Sequence, residues 1–339
     1  MKILLTLDYE LFLGERTGSV DECLIHPMEK IIKVLDKHSV KAVLFVDAAY
    51  LLRLSQVKEK CEPLQEDYSK LTKHIQHLAS AGHEIQFHFH PQWLYSTYDR
   101  LQGRWYIDSE HYKLSDMDAN FARQAFADAK ALLDEIVGKP TFAFRAGGYS
   151  LNSFIGYSQL LQDTGILIDS SVCNRRKCEG NFQAYDYRKV PHLSAYRFSD
   201  DVQREEKNGK LLEVPIAFTR PMSSLRYLYK KRQYAKHRIS CKQMGDGVSF
   251  DGSMSWGAKM KYQLAKLVSP MSFAASIDFG SVDCLLDIYR EHDKENKKYF
   301  VLIGHPKATS PASLDALERF VSVVAPTASF CTFQDLIYE

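Results

Sequence analysis

Short apolar runs alternate with segments of helical apolar spacing along most of this 339-residue chain. The strand-like runs lie at residues 3–8, 42–46, 84–90, 141–148, 166–169, 211–218 and 299–306. Apolar residues recur at helical spacing over 26–40, 65–81, 115–137, 152–165, 282–293 and 311–324. A repeated strand-then-helix order predicts an α/β fold with parallel strands. Both a closed barrel and an open doubly wound sheet fit this order.

The beginning of the chain favours a buried strand over a targeting segment. "MKILLTLDYE" carries one lysine, reaches two acids by Glu10 and lacks a small-residue cleavage site, so it is a poor signal peptide. No apolar run approaches the roughly 18 residues of a membrane helix. The seven cysteines are odd in number and form no C-x-x-C pair, which favours reduced thiols. These features predict a cytoplasmic protein.

Positive charge is concentrated in one part of a chain whose net charge is only +2. Residues 220–244 hold eight lysines and arginines and no acidic residue. A solvated helix face would explain this segment, and so would a contact with the phosphates of a lipid- or nucleotide-linked glycan or with an anionic membrane. One such patch is weak evidence for a nucleic-acid binder, and no glycine-rich phosphate loop follows a strand, so we expect no nucleic acid partner.

Chemically versatile side chains fall where the predicted strands end. They are Asp8, Glu10, His88, His90, Arg145, Asp169 and His305. The carboxyl ends of parallel strands form one face of an α/β fold, and functional residues from several strands converge there. The sequence therefore predicts one site that contains these side chains.

The stretch "EIQFHFH" points to a metal within that site. His88 and His90 are two residues apart in a strand, so their imidazoles project from the same face. Two half-exposed histidines on an edge strand are the alternative, but Phe87 and Phe89 alternate with them and indicate a buried opposite face. A catalytic Zn²⁺ usually takes three protein ligands, and "LDYE" offers two carboxylates for the third.

The order of these motifs, acids first and His-x-His later, resembles that of the polysaccharide deacetylases (carbohydrate esterase family 4, the NodB-homology domain). The resemblance runs from residue 3 to about 306 through "TLDYE", "HFH", "RAGGY", "IDSSV" and "LIGHPKA". It implies a distorted (β/α)7-type barrel of parallel strands. We expect a single domain, 1–339, with one insertion at about 93–113 and a basic insertion at about 220–275.

The resemblance also implies roles for individual residues. Glu10, His88 and His90 would bind Zn²⁺ or another divalent transition metal, because Tyr9 stands where the family has its second acid. Asp8 would be the general base, and an exchange of roles between Asp8 and Glu10 is the alternative.

The remaining roles concern the base, the oxyanion and the leaving group. Arg145 would orient the base, the backbone N–H at Tyr149 would hold the oxyanion, and His305 would be the general acid. Asp169 would orient that histidine, and Trp93 would stack on a sugar. Each has a structural alternative: an ion pair for Arg145, a turn cap for Asp169, a strand end for His305, and packing for Tyr149 and Trp93.

The implied activity is metal-dependent removal of an N-acetyl or O-acetyl group from a sugar or glycan precursor, in surface polysaccharide biosynthesis. Two alternatives stay open on the residues alone. One is a deformylase or another metal hydrolase on the same barrel. The other is a catalytically inactive carbohydrate-binding protein. This alternative arises because Tyr9 stands where the family has its second acid.

Overall fold

The computed structural model describes residues 1–173, 175–180, 183–236, 242–249 and 271–337. Part of the basic insertion, including Arg238, lies outside these ranges. The strands are β1 (Lys2–Tyr9), β2 (Val43–Asp47), β3 (Glu84–Phe89), β4 (Thr97–Asp99), β5 (Arg104–Tyr106), β6 (Ala143–Ala146), β7 (Ile168–Asp169), β8 (Lys177–Glu179), β9 (Ala184–Asp186), β10 (Tyr196–Phe198), β11 (Leu211–Glu213), β12 (Tyr299–Gly304) and β13 (Ser329–Cys331).

The helices of the described ranges are α1 (His26–Asp36), α2 (Ala48–Val57), α3 (Glu62–Ser80), α4 (Ala119–Val137), α5 (Tyr157–Asp163), α6 (Ser224–Ala235), α7 (Val282–Lys294), α8 (Pro311–Val324) and α9 (Gln334–Ile337). Within those ranges, no helix combines the length and apolar character needed to cross a bilayer.

The main sheet is a curled, mostly parallel wall. Its strands follow the order β10-β11-β7-β6-β3-β2-β1-β12, and β13 pairs with the first half of β1. Among the strand pairs of this sheet in the described residues, only β10–β11 is antiparallel. After β11 the chain connects the segment that follows β7 to β12, at the far edge of the wall: Ile216 N–H donates to Val172 O and Ala217 N–H to Val301 O, both at 3.0 Å. The predicted distorted barrel is therefore confirmed.

Burial explains why the central strands are so apolar. Every residue of β1 from Ile3 to Tyr9 is buried, as expected for a parallel strand covered on both faces. Helices such as α3 and α4 pack outside the sheet. Polar residues therefore interrupt the pattern mainly where a strand ends, which leaves one end of the barrel chemically rich.

Helices α4 and α2 are among the elements that differ from the sequence prediction. α4 begins after Asp118, whose carboxylate accepts from the N–H groups of Asn120 and Phe121 at 3.1 and 3.0 Å, rather than at residue 115. α2 was not predicted, because "AAYLLRLSQV" follows β2 without a break and prolongs its apolar run. The segment at about 93–113, which the sequence predicts to be an insertion, contains the small β4–β5 hairpin.

Candidate metal and catalytic site

Residues from several strand ends surround one cavity of about 460 Å³. It is lined by Asp8, Glu10, Leu13, His88, His90, Tyr112, Ala146, Gly148, Tyr149, Gln183, Ser249, His305 and Lys307. The structure thus brings together most of the side chains that the sequence singled out. A smaller cavity of about 90 Å³, bordered by Cys173, His192 and Ile216, contains none of them.

Glu10, His88 and His90 form the compact cluster of this cavity. Their potential ligand atoms all lie within 4.8 Å of one another. Glu10 Oε2 is 3.1 Å from His88 Nε2 and 3.0 Å from His90 Nδ1. All three side chains are buried. Glu10, and not Asp8, is the carboxylate that faces both imidazoles.

The hydrogen bonds around the two imidazoles suit a metal ligand set. His88 Nδ1 is 2.6 Å from Arg145 O, and a carbonyl can only accept, so Nδ1 carries a proton and Nε2 is the nitrogen that faces Glu10 and would bind a metal. His90 Nδ1 is buried and makes no hydrogen bond to the described residues. Two imidazole nitrogens and one carboxylate are the donors of catalytic zinc sites, so the residues fit the implied metal.

Two neighbours hold His90 in place. Its backbone N–H donates to Asp47 Oδ1 at 3.3 Å, and Asp47 Oδ2 lies 3.3 Å from its Nδ1. Gly147 packs against the ring: a Cβ there would lie 2.4 Å from His90 Cδ2 and 2.7 Å from Nε2. Glycine is therefore required at position 147, because a side chain there would collide with the His90 imidazole.

Asp8 forms a separate pair with Arg145 beside this cluster. Arg145 Nη1 donates to Asp8 Oδ1 at 2.6 Å, and the arginine is completely buried. Its Nε donates to Ser170 O at 3.0 Å, which fixes the guanidinium. Tyr9 projects to the opposite face of β1, where its hydroxyl lies 2.7 Å from His74 Nδ1. The alternation of β1 thus places Asp8 and Glu10 in the cavity and Tyr9 outside it.

His305 has a partner that the sequence analysis missed. Its Nδ1 is 2.7 Å from Asp278 Oδ2, and its backbone N–H donates to Asp278 Oδ1 at 2.9 Å. Burial alone lowers the pKa of His305, but Asp278 outweighs it and raises the pKa to about 9. The other ring nitrogen, Nε2, lies 3.6 Å from Asp8 Oδ2. An imidazolium is therefore held beside the carboxylate.

Asp169 does not orient His305, which corrects the sequence prediction. It is buried beside β11, where Glu213 is its register partner, and its Oδ1 accepts from Ser171 N–H at 3.1 Å. Burial raises the pKa of Asp169 to about 6 and, together with Asp169, raises that of Glu213 well above its usual range. Asp169 is the last residue of the two-residue strand β7 and does not line the cavity.

The two predicted substrate contacts differ in position. Trp93 is completely buried, donates from Nε1 to Asp47 Oδ2 at 2.9 Å and packs on Tyr50, so it supports the His90 wall and presents no face to a sugar. Tyr149 does line the cavity, with a backbone φ of 62°. Tyr187 Oη donates to its carbonyl at 2.7 Å and fixes the turn.

The basic segment contributes little to this cavity in the described residues. Lys230 lies 3.0 Å from Asp287 and Arg220 binds Glu291 and Glu295, so both face α7. Among the described residues of the range 220–275, Ser249 lines the cavity. Residues 237–241 and 250–270, which include Arg238, lie outside the described residues.

The site also contains Asp47, Asp278 and Lys307, which the sequence analysis did not select. Asp47 ends β2 and carried the same strand-end signal as the chosen residues. Lys307 stands two residues after His305, in the quoted "GHPKA". Asp278 follows no predicted strand, and it reaches His305 because Ser276 bridges to Ile303 of β12.

The chain matches none of the protein-family models and none of the curated proteins. Among solved structures, the GH57 branching enzyme of Thermococcus kodakaraensis is 11% identical over 100% of this chain and 71% of its own, with a TM-score of 0.51. An allantoinase is 15% identical over 98% and 88% of the two chains, with a TM-score of 0.49. The polysaccharide deacetylase from Bacillus cereus is 12% identical over 98% and 91%, with a TM-score of 0.40.

At such identities the likeness shows the fold alone. Proteins with different activities share this barrel, so the function of this chain must be argued from the residues of its site. The deacetylase-type barrel that the motifs implied is confirmed as a fold.

Proposed function

We propose that the chain is a metal-dependent hydrolase that removes an N-acetyl or O-acetyl group from a sugar or glycan precursor. The observation that carries this proposal is the meeting, in one cavity, of a Glu-His-His cluster, an Arg-held carboxylate and an Asp-held histidine. These are the parts that acyl hydrolysis needs: a metal site, a base and an acid.

Glu10, His88 and His90 would hold the metal. When bound, a divalent ion would supply a Lewis acid at the acyl carbonyl and lower the pKa of a water molecule toward about 7. The ligand types suit Zn²⁺ and do not distinguish it from Co²⁺ or Ni²⁺.

Asp8 is the general base of this proposal. Arg145 holds Oδ1 at 2.6 Å, so the carboxylate keeps one orientation, and its oxygens border the cavity. The carboxylate takes a proton from the attacking water. Tyr149, at the turn after β6, offers its backbone N–H to the oxygen that gains negative charge at the acyl carbon.

His305 is the general acid. Asp278 holds Nδ1–H, and a pKa of about 9 keeps Nε2 protonated at neutral pH. Nε2 gives that proton to the departing amine or alkoxide. The acyl–nitrogen or acyl–oxygen bond breaks, and acetate and the deacylated sugar leave. Asp8 Oδ2, 3.6 Å from Nε2, is placed to return a proton to the imidazole.

The finer parts of the proposal rest on the sequence. They are the role in surface polysaccharide biosynthesis, the cytoplasmic location, and a lipid- or nucleotide-linked substrate. Acetate release from a panel of N- and O-acetylated sugars, with formamido sugars included, tests the activity. Turnover that depends on added Zn²⁺ or Co²⁺ and is lost in Asp8→Asn supports the proposal. A metal-loaded, folded protein that releases no acyl group from the panel contradicts it.

A further inference from the structure

Lys307 places a second positive charge against the metal cluster. It lies on the short turn Pro306–Ala308 after β12, and only 12% of its side chain is exposed. Its Nζ lies 2.7 Å from Glu10 Oε1 and 2.8 Å from Leu11 O. Two of its three protons are thus used inside the protein, and the ammonium borders the cavity.

The two oxygens of Glu10 therefore serve different cations. Oε2 faces the imidazoles of His88 and His90, while Oε1 holds the lysine. Burial opposes ionisation of Glu10, but Lys307 and the two imidazoles outweigh it and hold its pKa well below the usual range. At 2.7 Å from Oε1, the ammonium of Lys307 compensates the negative charge of this carboxylate in the metal-free protein.

That compensation opposes metal binding. A metal ligated by Glu10 would share one carboxylate with the ammonium, and like charges repel strongly at the reduced dielectric of a buried site. The lysine also draws electron density from the carboxylate that the metal needs. Both effects disfavour metal binding, so the Lys307 side chain lowers the affinity of the cluster for a cation.

We propose that Lys307 sets the metal affinity of the site, so that the ion is held reversibly rather than permanently. The inference rests on the Glu-His-His cluster of the proposed function and concerns its regulation. The opposing hypothesis is that the hydrogen bond from Lys307 orients Glu10 and thereby strengthens metal binding. The two hypotheses predict opposite changes in affinity when the charge is removed.

The test compares Zn²⁺ affinities of metal-free protein by competition with a chromophoric chelator. Lys307→Gln removes the charge but can still donate to Glu10, and Lys307→Met removes both. Lys307→Arg keeps the charge. Lys130→Met is the matched control. Lys130 is also largely buried, and its Nζ lies 2.6 Å from Asp134 Oδ2, but neither residue lines the cavity.

We expect Lys307→Gln and Lys307→Met to lower the Kd for Zn²⁺ by about 10- to 100-fold. Lys307→Arg and Lys130→Met should stay within about twofold of the parent protein. A Kd for Lys307→Gln that is unchanged or raised overturns the proposal while leaving the metal site intact. Failure of the parent protein and of every variant to bind Zn²⁺ overturns the metal cluster, and with it the proposed function.

Circular dichroism of each metal-free variant checks that it is folded. If Lys307→Met does not fold, Lys307→Gln decides the question alone, since it retains a hydrogen-bond donor for the Glu10 carboxylate.

Discussion

Asp278 Oδ2 and His305 Nδ1 lie 2.7 Å apart, although the two residues belong to different elements and are 27 positions apart in sequence. The contact fixes the imidazole and directs Nε2 toward Asp8. Asp278 thus has the position that the motif resemblance implied for Asp169, which is instead buried beside Glu213. The orienting carboxylate of the proposed acid therefore comes from the segment before α7.

We expect Asp278→Asn to lower kcat about 10- to 100-fold, and His305→Ala about 10²- to 10⁴-fold, the scale of general acid–base groups. Bound metal should stay near the level of the parent protein in both variants. Asp169→Asn, which leaves the pair intact, should keep kcat within about threefold. Steady-state acetate release and elemental analysis measure these effects. A larger loss in Asp169→Asn than in Asp278→Asn would restore the sequence-based assignment.

The two acids of the first strand should give separable phenotypes. Asp8→Asn removes the base but leaves the cluster, so metal stays bound and turnover falls by about 10²-fold or more. Glu10→Gln removes a charged ligand and should lose metal. Metal content and acetate release, measured on the same samples, distinguish the two. An exchange of the two phenotypes would make Asp8 the ligand.

Loss of either imidazole should empty the site. His88→Ala and His90→Ala each leave two ligands, too few for a stable zinc site, so we expect less than about one tenth of the parent metal content after dialysis. His83→Ala is the control, because His83 is equally buried but accepts from Ala42 N–H outside the cavity. Metal retained at the parent level in both site variants would exclude the cluster.

The alternation in "EIQFHFH" was enough to predict that His88 and His90 share a face, because the period of a strand is two residues. The same rule separated Tyr9 from Asp8 and Glu10. The strand-end rule also applied to Asp47, but the apolar helix that follows β2 without a break hid that end. Local pattern therefore predicts a site wherever strand ends are visible.

Other parts of the site depend on tertiary contacts that leave no periodic signal. Asp278 is placed by the bridge between Ser276 and Ile303, and no spacing rule relates it to His305. Trp93 follows the metal motif in sequence, yet its indole turns inward to Asp47. For such residues, closeness in sequence to a motif did not predict the direction of the side chain.

A methyl group at position 147 should disable the metal cluster without removing a ligand. In Gly147→Ala the new Cβ would lie 2.4 Å from His90 Cδ2 and 2.7 Å from Phe89 O, so the imidazole cannot keep its present position relative to Glu10. We expect at least a 10-fold weaker affinity for Zn²⁺. Gly180→Ala is the matched control, since its nearest neighbour is 3.4 Å away. Equal affinities in both variants would show that His90 tolerates the displacement.

The buried Asp169–Glu213 pair should make the fold less stable as the pH rises. Burial raises both pKa values, that of Asp169 to about 6, whereas free carboxyls ionise near pH 4. A carboxyl whose pKa is higher in the folded state costs stability once it ionises there, so stability present below about pH 4 is lost as the pH rises through about 6.

Asp169→Asn stays neutral and should therefore lose less stability between pH 5 and 7 than the parent protein, by roughly 1–3 kcal/mol. Urea unfolding at pH 5, 6 and 7 measures the difference. Asp163→Asn, at an exposed carboxyl of α5, is the control and should follow the parent curve. If Asp169→Asn loses as much stability as the parent over this range, Asp169 does not change its ionisation between pH 5 and 7, and the prediction is wrong.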